Sequence, residues 1–131
     1  MTPPPARAVL ALTTEANLEL ASALARSLLE DGLAACISLL PVQSLYRWEG
    51  QLCDDAEVQL LIKSQAALLS ELEQAVHQRH SYALPQWLSW PADPSAGYGV
   101  WMGEQLRPPS AQADAGAPTA ATAPENGGPS G

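Results

Sequence analysis

The spacing of apolar residues changes repeatedly along this chain, and each change marks an element. "RAVLALTT" (7–14) is a short, nearly continuous apolar run and reads as a buried strand. "EANLELASALARSLLEDG" shifts to helical spacing, which predicts Leu18, Ala21, Ala25, Leu28 and Leu29 on one stripe. Gly32 follows where a helix commonly ends in a left-handed residue. "LAACISLL" and "QSLYRWEG" form a second, long strand broken only by Pro41, which predicts an edge position or a bulge. "QLCDDAEVQLLIK" (51–63) alternates, with Leu52, Val58, Leu60 and Ile62 on one face. "SQAALLSELEQAVHQRH" predicts a second helix with Leu68, Leu72 and Val76 inward, and "LPQWLSW" a fourth strand. "DPSAGYGVWMGEQL" predicts a last helix, with Asp93 as its N-cap and Pro94 in its first turn. Gly97, Gly99 and Gly103 weaken its intrinsic helicity.

The resulting order, β-α-β-β-α-β followed by a helix, is an α+β, ferredoxin-like sandwich with a long β-hairpin. Its two helices cover one sheet face and leave the other open. Pairing the long strands through a two-residue turn at Glu49-Gly50 sets Trp48 against Gln51, Tyr46 against Cys53 and Cys36 against Lys63. Leu33, Ile37 and Leu39 then share a face with Leu60 and Ile62. The opposite face holds Cys36, Ser38, Tyr46, Trp48, Gln51, Cys53, Asp55, Glu57, Gln59 and Lys63, unless a bulge at Pro41 shifts one half. Tyr46 and Trp48 on that face suit a subunit interface or a ligand cleft, or simply cross-strand pairing. In this register Cys53 and the partner of Cys36 are ten positions apart, roughly 33 Å, which excludes an intrachain disulfide.

Composition narrows the classes. From Arg107 onward the chain is rich in Ala, Pro, Gly and Ser without a large apolar residue, so 107–131 is expected to be a disordered tail. Residues 1–6 read as a flexible lead, and 7–106 as one domain. The net charge of −8 resides almost wholly in that domain, which carries no basic run. Such a surface repels a phosphate backbone and argues against nucleic-acid binding. No apolar run approaches the roughly 20 residues of a membrane span. The N-terminus lacks the pattern of a signal peptide, so the expected location is cytoplasmic, in keeping with two unpaired thiols.

Candidate chemistry centres on a few side chains. Cys36 suits a soft metal as thiolate, favoured by an adjacent Lys63 ammonium, or else is a small packing residue. Cys53 lies beside Asp54 and Asp55, which disfavour a thiolate. His77 and His80, three apart near a helix end, fit a metal pair or a polar helix terminus. Glu57 and Lys63 share a strand face but stand roughly 20 Å apart, so each is expected to find a partner elsewhere: a neighbouring subunit, a ligand or water. No nucleophile–base pair, phosphate-cradling glycine loop or three-ligand metal motif is evident, which argues against an enzyme.

"LAACIS", "YRWEG", "AEVQLLIK" and "HSYALPQW", in this order and spacing, resemble the CutA divalent-ion tolerance family over about residues 7–106. The resemblance implies a ferredoxin-like subunit in a homotrimer, with sheets inward, helices outward and the hairpin reaching a neighbour. It implies a role in tolerance to copper and other divalent metals, and no catalysed reaction. The trimer is similar to that of the PII signalling proteins, whose effectors bind between subunits. This supports the alternative of a small-molecule sensor that signals to a protein partner. By the same resemblance Trp48, Glu57, Lys63, His80 and Tyr82 line an intersubunit ligand cleft, and Cys36 and His80 are the metal candidates, copper being the implied ion. The family pattern His-Pro-Tyr-Glu-x-Pro-Glu is departed from at Ser81, Ala83 and Gln86, which removes two carboxylates that a cation would use.

Overall fold

The computed structural model describes residues 7–110; the expected lead 1–6 and residues 111–131 of the expected tail lie outside the described residues. Four strands and three α-helices follow in the order β1 (Ala8–Glu15), α1 (Leu18–Glu30), β2 (Cys36–Trp48), β3 (Gln51–Gln65), α2 (Leu69–Arg79), β4 (Leu88–Ala92) and α3 (Ala96–Gln105). They form one antiparallel sheet, ordered β2-β3-β1-β4, with the expected ferredoxin-like connectivity.

The hairpin has the register that alternation predicts, with Cys36 opposite Lys63, Tyr46 opposite Cys53 and Trp48 opposite Gln51. Its turn places Glu49 at φ 49° and Gly50 at φ 77°, the pair of left-handed residues that matches a hairpin's twist. Pairing runs unbroken through Pro41, which faces Val58, so no bulge forms. An edge strand leaves alternate N–H groups unpaired, and proline is tolerated at such positions.

One face of the sheet carries Ala11, Val58, Leu60 and Ile62, and α1 and α2 close over it with Ala21, Leu24, Leu28, Leu72, Ala75 and Val76. Each fully buried Leu or Ile contributes about 1.5–3 kcal/mol relative to exposure. The α1 stripe differs from the expectation at both ends: Leu18 is 60% exposed and Leu29 is also exposed, while Leu24 is buried in their place. Positions 21, 24, 25 and 28 are the i, i+3, i+4, i+7 set, and Leu29 lies one step around the helix from it. At the C-terminus of α1, Leu33 N–H bonds to the Leu28 carbonyl and Gly32 N–H to that of Leu29, with Gly32 at φ 69°, a Schellman closure.

Three boundaries move. β3 continues to Gln65 and a 3₁₀ turn at Ala66–Leu68 precedes α2, so the second helix starts later than its apolar spacing suggests. The fourth strand is Leu88–Ala92, and residues 84–87 are loop. The N-cap of α3 is Ser95, whose hydroxyl accepts from Tyr98 N–H, rather than Asp93. α3 crosses one end of the second sheet face, where Met102 packs with Ala8, Ala35, Ala92 and Leu106. The ordered chain runs on past Leu106: Arg107 N–H bonds to the Gly32 carbonyl, its guanidinium to Glu71, and Ser110 N–H to the same carboxylate.

Candidate functional site

Beyond the reach of α3, the second sheet face opens into a cleft of about 510 Å³ between the hairpin and the loop that follows α2. Thr14 of β1, Ser44, Tyr46 and Trp48 of β2 and Glu57 of β3 line one side, and Tyr82, Leu84, Pro85 and Gln86 the other. Strand parity accounts for the first set. Tyr46, Trp48 and Glu57 project to the face opposite Leu60 and Ile62 because side chains alternate along a strand.

The loop is fixed by a buried polar network. His80 ends α2, and its side chain is fully enclosed. Its Nε2–H donates to the Thr14 carbonyl at 2.6 Å, while Nδ1 accepts from Tyr82 N–H at 3.0 Å. These partners assign the neutral Nε2–H tautomer. Burial holds the imidazole below its ordinary pKa, opposed by the nearby Glu15 carboxylate and the Thr14 carbonyl. Glu15 is only 1% exposed and sits at the core-facing end of β1. Its Oε1 accepts from Ala16 N–H and the Ser81 hydroxyl, and its Oε2 from Ser81 N–H at 3.0 Å. The His80 ring packs on the Tyr82 ring with centroids 4.9 Å apart. Tyr82, thus oriented, donates its phenol to Glu57 Oε2 at 2.5 Å. Burial and that hydrogen bond push the Tyr82 phenol well above its ordinary range, so it stays a donor. Tyr46 likewise donates to Asp55, and this bond pushes its pKa up.

Of the residues expected in a cleft, Trp48, Glu57 and Tyr82 line one, with His80 directly behind Tyr82. Lys63 stands elsewhere, six residues along β3 from Glu57, where its ammonium meets Cys36 Sγ at 3.7 Å and the Ser38 hydroxyl at 2.5 Å. Glu57 and Lys63 therefore both find partners within the chain. The strand reading did not supply Tyr82 because it arrives from a distant loop. The Tyr98 phenol adjoins Cys36, and burial together with that thiol raises its pKa. Cys36 and His80 are not brought together: Cys36 is level with Lys63 and Leu10, whereas His80 is bonded at Thr14, level with Gln59. His77 is separate again, its Nδ1 against the Glu73 carbonyl and its ring edge-on to Trp87 at 6.1 Å. Both cysteines are unpaired. Among the described residues no three His, Cys, Asp or Glu side chains gather as metal ligands.

Sequence reasoning missed Glu15 and Ser81. A signal was present: Glu15 continues the parity of Val9, Ala11 and Thr13, and a carboxylate at a core-facing position demands donors.

The family model described as CutA1 divalent ion tolerance protein matches residues 9–105. The divalent-cation tolerance protein CutA of Pectobacterium atrosepticum is 44% identical over 106 residues, covering 76% of this chain and 93% of that protein. The protein of the same description from Thermus thermophilus is 34% identical, covering 71% of this chain and 92% of its own. Among solved structures, CutA1 from Oryza sativa superposes with a TM-score of 0.76 at 31% identity, over 79% of this chain and 96% of that one. CutA from Synechococcus elongatus gives a TM-score of 0.75 at 37% identity, over 78% and 92%. With its sheet, its hairpin and nearly all of its described length accounted for in this way, the chain belongs to the CutA1 divalent ion tolerance protein family.

Proposed function

We propose that the protein is a homotrimer serving divalent-cation tolerance, acting by binding rather than catalysis, with the Trp48–Glu57–Tyr82 cleft at a junction between subunits. The observation that carries the assembly is the apolar middle of the second sheet face, which the described residues leave uncovered. Register aligns Trp90 with Leu10 and Lys63, and Leu88 with Leu12 and Leu61, while Leu40 lies on the same face. Trp90 is 41% exposed and Leu40 56%, a concentration of large apolar side chains that a soluble surface seldom leaves bare. Both β2 and β4 are edge strands with a free side, which also favours association.

Divalent-cation tolerance is the description its relatives carry. Copper is the favoured ion, because the thiol of Cys36 is a soft ligand and lies on the face an assembly would bury. Ligands from further subunits would have to complete such a site. The binding role is favoured by His80, whose ring nitrogens are both committed to backbone partners and cannot shuttle protons to a substrate. A cytoplasmic location is favoured by the two free thiols. The alternative of a PII-like sensor gains nothing from the cleft, whose lining offers no Lys or Arg to a phosphate.

Sedimentation equilibrium tests the assembly. The expected mass is three chains, and Trp90→Asp with Leu88→Asp should shift it toward one; a monomeric parent protein overturns the reading. Anaerobic copper(I) titration tests the metal: Cys36→Ala should abolish stoichiometric binding, and unchanged binding removes Cys36 from the site.

A further inference from the structure

The cleft has a charge character that its assignment as a ligand site does not by itself explain. Eleven residues line it, and Glu57 is the single charged one among them. Glu57 is only 8% exposed, and one of its oxygens, Oε2, accepts from the Tyr82 phenol. The other oxygen has no hydrogen-bond partner among the described residues, yet it is not among their fully enclosed orphan atoms. It is therefore free to accept from a molecule in the cleft. Asp55 lies two residues on along the same face, deepening the negative potential.

The rest of the lining is neutral: Thr14, Gln43, Ser44 and Gln86 are polar, and the other residues are aromatic or aliphatic. Tyr46 and Trp48 lie on the Glu57 face, and Leu45, Leu84 and Pro85 complete the apolar lining. Trp48 pairs with Gln51, so it and Glu57 are six residues apart in register, roughly 20 Å along the strand at 3.3 Å per residue. The cleft is thus elongated, with an acceptor at one end and an aromatic face at the other. A bare divalent ion is poorly matched to it, since hard cations take six or more oxygens and softer ones several donors. A phosphate or carboxylate ligand meets the Glu57 carboxylate and no Lys or Arg in the lining. An elongated cation bearing N–H donors suits both ends of the cleft at once. One ammonium donates to the free Glu57 oxygen, the carbon chain lies along Tyr46 and Leu84, and Trp48 offers its ring to a second positive charge.

We propose that this cleft binds an organic ammonium ion with an extended carbon body, of the linear diamine class. The proposal rests on the reading of the cleft as a ligand site, and its test separates the two.

The probes are 1,8-diaminooctane and its uncharged analogue 1,8-octanediol, titrated calorimetrically into the full chain at about 0.15 M salt. The diamine should bind, and the diol should bind at least about tenfold more weakly. Glu57→Gln should weaken the diamine by about 10- to 100-fold, the range of a hydrogen bond to a charged group. Trp48→Ala, on the half-exposed end of the hairpin, should weaken it by about 2- to 30-fold and needs no buried substitution. Glu30→Gln removes an equal charge from an exposed site on α1 and should leave affinity unchanged. Equal binding of diol and diamine keeps the cleft as a ligand site but overturns the ammonium assignment. Diamine binding indifferent to both Glu57→Gln and Trp48→Ala overturns it too, as general attraction to an acidic protein. No heat with either probe overturns the ammonium assignment, while the trimer reading is judged separately by sedimentation.

Discussion

Replacing Ser81 is the sharpest test of how the cleft loop is held. Ser81 gives Glu15 two hydrogen bonds, one from its hydroxyl at 2.5 Å and one from its backbone N–H at 3.0 Å. The carboxylate receiving them is buried, so water cannot readily replace a lost donor. Hydrogen bonds to charged groups are worth about 1.5–3 kcal/mol each. Ser81 itself is solvent-exposed, which argues for the lower end of that range, about 1.5–2 kcal/mol for Ser81→Ala. Ser81→Pro removes both donors. The preceding residue suits a proline there, because His80 has φ −74° and ψ 148°, the extended conformation a residue before proline prefers. The loss should therefore reflect the two missing bonds, partly offset by the smaller entropy of the unfolded chain, for a net cost of about 2–3 kcal/mol. Urea denaturation of the single variants and of each combined with Glu15→Gln closes a double-mutant cycle. A coupling of about 1 kcal/mol or more between positions 15 and 81 is expected, whereas contacts that do not interact add to within about 0.5 kcal/mol. Additive effects, or a Ser81→Pro variant as stable as its parent, would refute the role assigned to this contact.

Other consequences are open to simpler measurements. Burial lowers the pKa of His80 in the folded state, so below about pH 6.5 the unfolded chain binds a proton that the folded chain resists. Stability should fall as pH drops through that window, and His80→Gln should flatten the profile between about pH 5 and 7 in urea titrations. Gly32→Ala forces a side chain onto φ 69° and brings its Cβ within 3.1 Å of the Arg107 nitrogen, whereas Gly50→Ala meets nothing nearby at φ 77°. The first should cost more than the roughly 1–2 kcal/mol of left-handed backbone alone and the second no more than that, read as shifts in denaturation midpoint. Leu60→Ala empties a fully buried site under both helices and should cost about 2–5 kcal/mol by the same assay.

How much of this was readable from sequence depends on the range of the interaction. The hairpin register was legible because a two-residue turn and strict alternation leave one pairing that puts Leu39, Leu60 and Ile62 on a common face. That single inference carried Tyr46, Trp48 and Glu57 to one side of the sheet. The ends of α1 were less legible, since helical spacing marks a face but not how far the opposing sheet extends beneath it, and Leu18 stayed in solvent. The loop at 80–87 was the least legible part. Its conformation is set by Thr14 and Glu15, sixty-six positions from the His80 and Ser81 they bond, and no local periodicity encodes such a pairing.

The same loop shows how serine at 81 supports the site. Ser81 gives two donors to Glu15. These bonds fix the chain direction at His80 and so deliver Tyr82 to Glu57. The absence of carboxylates at 83 and 86 acts on different ground. Gln86 lines the cleft as a neutral side chain, and Ala83 is exposed, so neither position adds negative charge near Glu57. Fewer carboxylates lower the affinity for a compact divalent ion more than for a spread organic cation, because the former needs several oxygens at once and the latter one acceptor and an apolar wall. Gln86→Glu should therefore shift the cleft toward divalent metal. Titration of that variant with magnesium and with 1,8-diaminooctane ought to show metal binding gained, and a cleft that gains no metal would break the link between charge count and ligand choice.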